Sequence, residues 1–101
     1  MQNPKMIKQL QQMQARMAKL QEELGEVTVT GTAGGGAVSI DVDGHQRVLA
    51  VRIEPEALEE AELLGDMVLA ACNDALDRSR ARAADQMGQL TAGLNLPPGL
   101  L

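Results

Sequence analysis

The chain of 101 residues has no Trp, Tyr or Phe, one Cys, one His and four Pro. Without aromatic rings the core must be built from Leu, Val, Ile, Met and Ala, and a domain this small buries only a modest fraction of its surface. So thin a core predicts an oligomer in which two chains share one apolar layer. The single Cys72 excludes an intrachain disulfide. No His and Cys cluster at ligand spacing points to a metal, so neither metal nor cofactor is expected. No apolar run approaches the ~18 residues of a membrane span. The start, MQNPKMIKQLQQMQARM, is polar and rich in glutamine and lacks the apolar centre of a signal peptide. These features predict a soluble, cytoplasmic protein.

Catalytic groups are equally scarce. His45 stands beside an expected turn, and Cys72 sits among alanines in LAACNDAL. The first reads as a solvent-facing turn residue and the second as a small buried one. Nucleophilic triads, paired carboxylates and nucleotide fingerprints do not appear. An enzyme is not expected.

What the chain does have is segregated charge. The net charge is −5. Residues 1–21 carry Lys5, Lys8, Arg16 and Lys19 with no acid, for +4. Residues 22–77 carry thirteen acids against Arg47 and Arg52, for −11, and Arg78, Arg80 and Arg82 follow directly. An acidic middle thus lies between two basic patches, and the overall charge says little about partners.

The elements are legible from periodicity. Met6, Leu10, Met13, Met17, Leu20 and Leu24 recur at spacings of 4 and 3, which predicts a helix over about residues 4–24 with a narrow apolar seam. Pro4 suits its first turn and Gly25 its end. Period-two alternation predicts strands over about 27–32, 37–43 and 47–54, in an antiparallel sheet covered on one side only. Val38, Ile40 and Val42 form the inward row of the second strand, and Leu49, Val51 and Ile53 share one face of the third. A helical region over about 56–90 follows Pro55, with Gly65 either tolerated or marking a break. Residues 91–101, containing LNLPPGLL, read as a flexible tail. The whole is α+β, α-β-β-β-α, a small antiparallel sheet with two long helices in a single domain over 1–90.

Two features invite a ligand reading and receive a structural one. Gly34, Gly35 and Gly36 fall between two strands, whereas a phosphate loop leads from a strand into a helix and usually supplies a lysine. They are expected to turn the chain. Asn73, in the middle of a helix, is expected to bond to the sheet or to a partner subunit and so fix the helix docking.

The basic patches are the functional lead. Lys5, Gln12 and Lys19 share one heptad position, with Lys8 adjacent, so their charges reach solvent together off the apolar seam. Glutamines at 2, 9, 11, 12, 14 and 21 add groups suited to phosphates or groove edges. Arg78 and Arg82 lie one turn apart, with Arg80 to the side.

KQLQQMQARMAKLQEEL, VTGTAGGGAVSIDVDG, RIEPEAL, AACNDAL and LNLPPG, in that order over about residues 5–99, together resemble the YbaB/EbfC family of bacterial nucleoid-associated DNA-binding proteins. The resemblance implies an intertwined, tweezer-like homodimer with helices projecting from a shared sheet. It also implies double-stranded DNA bound with little sequence preference, a place in the nucleoid, help in organising the bacterial chromosome and regulating expression, and no enzymatic activity. The DNA-binding candidates it points to are Lys5, Lys8, Arg16 and Lys19 on the first helix and Arg78, Arg80 and Arg82 on the second. Ser39, Asp41 and Asp43 stand where relatives often place lysine or neutral residues, which makes the sheet surface a poor DNA contact. With no aromatic side chain, stacking on bases is excluded, which argues against a single-strand specialist. The alternative reading is a dimeric protein-interaction module that works with DNA repair or replication proteins through its acidic middle.

Overall fold

A computed structural model describes residues 3–94. Helix α1 spans Pro4–Glu26, followed by strands β1 (Thr28–Ala33), β2 (Val38–Asp43) and β3 (Val48–Ile53), and helix α2 (Ala61–Leu94). Short 3-10 turns occupy Gly34–Gly36 and Pro55–Glu59. The architecture is the expected α-β-β-β-α. Asn3 caps α1 by accepting from the Lys5 N–H at 3.0 Å, and Pro4 takes the first turn, where its missing N–H costs nothing.

The strands form an antiparallel meander in the order β1-β2-β3. Gly34–Gly36 join β1 to β2, and all three have positive φ, which glycine adopts without strain. The triplet turns the chain. α2 lies across β1 and β2, where Val38, Ile40 and Val42 meet Ala71 and Ala75 in one buried cluster. Burying each Val or Ile there is worth roughly 1.5–3 kcal/mol. Gly31 is what allows the helix so close, because a methyl group there would overlap the backbone of Ala71 and Ala75.

The β2–β3 turn ties the layers together. The Asp43 carboxylate accepts from the backbone N–H groups of His45 (2.8 Å) and Arg47 (3.0 Å). The Asp43 carbonyl accepts from buried Ser79 Oγ on α2 at 2.6 Å, and the Gly44 N–H donates to the Leu24 carbonyl at the end of α1 at 2.8 Å. His45 is exposed, as expected, but it is more than a turn residue: its Nε2 lies 2.7 Å from the Gln21 carbonyl of α1. Cys72 is half-buried against the core cluster.

Of the two readings of Gly65 the tolerated one holds, for Gly65 lies inside α2 and the helix break falls earlier, at Glu60. The expected end of that helix is corrected. α2 continues past residue 90 to Leu94, and the rest of the tail lies outside the described residues. Of the two partners expected for Asn73, a partner subunit stays available to its exposed side chain, but among the described residues it does not dock the helix on the sheet. Its neighbour Asp74 does, accepting from the Thr32 N–H of β1 at 3.0 Å.

The outer sheet face carries a polar network in place of a cover. Arg52 holds Asp41 in a two-pronged pair at 2.8 and 2.9 Å, and Thr30 Oγ1 donates to the same carboxylate. The Arg52 guanidinium, helped by Thr30, pushes the Asp41 carboxyl down to about 2. A depressed carboxyl stabilises the fold above its ordinary pKa of 3.8 and loses that contribution as pH falls through about 2. The stability gap between wild type and Arg52→Ala, read from urea midpoints, is therefore expected to be constant above about pH 5 and to close towards pH 2. Asp43 and Asp74 are lowered in the same sense, chiefly by the backbone N–H groups of Arg47 and Thr32 respectively.

Candidate nucleic-acid interface

α1 and the C-terminal half of α2 lie side by side, meeting at Leu20, Gln86 and Leu90. α1 runs towards the sheet and α2 away from it, and together they extend the molecule to 70 × 22 × 18 Å. Only the sheet-proximal end of the α1 seam is covered: Leu20 and Leu24 are buried, Met13 and Met17 half-buried, and Met6 and Leu10 exposed.

At 100° per residue, Lys5, Lys8, Gln12, Arg16 and Lys19 fall within about 80° of one another on α1. This stripe flanks the apolar seam and covers about 21 Å of helix at 1.5 Å per residue. All four cations in it are exposed. On α2, Arg78, Arg82 and Gln89 form a matching stripe beside the buried positions. The two stripes open on the same side, because Arg16 and Lys19 line one groove with Gln86 and Gln89. The fold thus gathers six of the seven basic candidates along one side of the paired helices. Arg80 is the exception: it points to the other flank of α2, 3.3 Å from Asp77.

Pairing grades the six. Arg78 donates through Nε to Asp74 at 3.2 Å, and Lys19 lies 4.0 Å from Glu23. Among the described residues, Lys5, Lys8, Arg16 and Arg82 have no carboxylate within ion-pair distance. These four carry the uncompensated charge of the face. Glu23 and Asp85 sit at its inner part and temper it. Gln86 and Gln89 escaped the sequence reading. The signal was their place four and seven residues after Arg82, on the same stripe.

The opposite flank of α2 carries Leu69 and Leu76 beside Arg80. Asp74 anchors its own flank at β1, so Leu69 and Leu76, on the far flank, lie towards β3. β3 is an edge strand that α2 does not cover, and Leu49, Val51 and Ile53 are left 50%, 51% and 39% exposed. The register pairs Val51 with buried Ile40 and Ile53 with buried Val38, so this bare row continues the core face of the sheet. A bulge between Asp41 and Val42 leaves Leu49 without a partner on β2.

Among the described residues no helix is long and apolar enough to cross a membrane, and no group of His, Cys, Asp and Glu could hold a metal ion. Comparison with known proteins agrees with the architecture. A family model described as the YbaB/EbfC DNA-binding family matches residues 1–94. A nucleoid-associated protein of Pelotomaculum thermopropionicum is 48% identical over 95 residues, covering 92% of this chain and 90% of the relative. A nucleoid-associated protein of Bacillus cereus is 52% identical over 86 residues, 83% of this chain and 79% of its own. The crystal structure of an uncharacterized protein from Helicobacter pylori shares the fold with a TM-score of 0.78 at 21% identity, covering 89% of this chain and 97% of that one. Family model, relatives and fold agree: the chain belongs to the YbaB/EbfC DNA-binding family.

Proposed function

We propose that this protein is a nucleoid-associated factor that binds double-stranded DNA as a homodimer, through the cationic side of its paired helices and with little sequence preference. The observation that carries the reading is that Arg16 and Lys19 line one groove with Gln86 and Gln89 on an extended two-helix arm, and helical periodicity puts Lys5, Lys8 and Arg82 in line with them. Lysine and arginine on a helix flank meet phosphates, which position a protein on a duplex but carry no sequence information. A chain without aromatic side chains cannot add base stacking. The protein has no catalytic role in this reading and acts in the nucleoid by organising DNA.

A second copy fits the bare β3 face. Leu49, Val51 and Ile53 extend the core face of the sheet to an unpaired edge, where an identical strand brings both backbone partners and apolar cover. The cationic side stays clear, because it lies on the β1 flank of α2. Val51→Lys is expected to yield a folded monomer by sedimentation. A variant that remains dimeric places the interface elsewhere.

The test of the main reading is the affinity of the purified protein for unrelated duplexes across a salt series. With about 6–8 phosphates engaged per dimer, log K should fall by roughly 0.9 per contact for each tenfold rise in salt. Absence of binding at low salt would sink it. The acidic middle and protein partners from DNA repair or replication would then be the better reading.

A further inference from the structure

We infer that the groove between α1 and α2 seats one phosphodiester of the duplex, with Arg16 and Lys19 as its ligands and Gln86 as the residue that positions Arg16. This rests on the duplex-DNA reading above and specifies one contact within it. The groove is open, about 290 Å³ in volume, and Leu20 and Leu90 line it together with Arg16, Lys19, Gln86 and Gln89. Gln86 Oε1 is buried and, among the described residues, has no hydrogen-bond partner. Buried polar atoms without partners are uncommon in folded proteins, and leaving one unmet is costly.

A donor from a residue lining the same groove would meet that acceptor, and Arg16 is such a residue. A guanidinium has five N–H donors in a rigid fork. Arg16, which has no ion pair among the described residues, can give one N–H to Gln86 and turn a two-donor edge to a phosphate. Lys19 is 4.0 Å from Glu23, at the limit of pairing, so its ammonium retains donors for the same anion. Glu23 lines the groove as well, leaving the site with a net charge of +1. Gln89 spends its amide only on a long 3.4 Å contact to Asp85 and adds a neutral donor at the rim. A single anionic group against one net positive charge is the occupant this balance suits. The backbone of a duplex lying along the cationic stripe supplies it.

The test is a double-mutant cycle on the full chain, read by fluorescence anisotropy of two unrelated duplexes between about 50 and 200 mM salt. Arg16→Ala is expected to weaken binding about tenfold and to flatten the log–log salt slope by roughly 0.9 per protomer. Gln86→Leu should weaken wild type several-fold and have no further effect in the Arg16→Ala background, a coupling that a merely structural glutamine would not show. Arg80→Ala, outside the groove, should leave the slope unchanged. If wild type binds with a steep slope that Arg16→Ala leaves intact, the groove proposal is overturned while the DNA reading stands. Equal losses from Gln86→Leu in both backgrounds overturn the positioning role. Failure of wild type to bind at 50 mM salt overturns both. Arg16 is exposed, so its slope decides the site even if Gln86→Leu fails to fold.

Discussion

Reversing Lys5, Lys8 and Arg16 to glutamate is expected to weaken duplex binding by at least about a hundredfold at 50 mM salt and to flatten its salt dependence. The three lie on one stripe of α1, exposed and without a carboxylate in reach among the described residues, so none is already neutralised. In a dimer the change removes up to about six phosphate contacts and puts repulsion in their place, and most of the salt slope goes with them. Helicity should be nearly unchanged, because these side chains make no contact with the core cluster. The matched control is Arg78→Glu with Arg80→Glu, where each arginine already pairs with an aspartate on its own helix. That pair should cost much less. Equal losses in the two variants would mean that overall charge, not the α1 stripe, governs binding.

Gly31→Val is expected to be the most disruptive single substitution in the chain. Overpacking a filled core usually costs 1–3 kcal/mol, because neighbours shift to make room. Here the clash is with the backbone of Ala71 and Ala75, which cannot rotate away as a side chain would. α2 must lift from β1, which breaks the Thr32-to-Asp74 bond and exposes the cluster of Val38, Ile40 and Val42. A loss of more than about 3 kcal/mol, or failure to fold, is expected from urea unfolding. Gly65, whose surroundings are open, provides the contrast. As a helix-interior glycine it should gain up to about 1 kcal/mol on replacement by alanine. A Gly31→Val protein of wild-type stability would contradict the close packing of α2 on β1.

The two expectations depend on different kinds of information. The α1 stripe can be read almost entirely from spacing: a helix period of 3.6 places Lys5, Lys8, Arg16 and Lys19 together whatever the helix packs against. The tightness at Gly31 cannot, since alternation in VTVTGT shows a strand and not what crosses it. The same limit explains Asn73 and Asp74. Neighbours on a helix point 100° apart, and only the docking angle of α2 decides which of them meets the Thr32 N–H. Helix spacing already sets Arg80 to the side of Arg78 and Arg82, and only the family resemblance joins it to them as a DNA-binding candidate. Gln86 and Gln89 gained significance only when α1 was laid beside α2.

Taken alone, the sequence determined the local order of this protein: which segments are helix or strand, where Gly34–Gly36 turn the chain, and which flank of α1 is cationic. Those properties follow from periodicity and backbone preference, which act between residues a few positions apart. Tertiary structure alone decided that α2 covers β1 and β2 but leaves Leu49, Val51 and Ile53 of β3 bare. It also decided that the flanks of α1 and α2 meet in one groove. Such outcomes depend on the angle and depth at which elements pack, set by contacts such as Gly31 with Ala75 and Asp43 with Ser79 that join residues 44 and 36 positions apart.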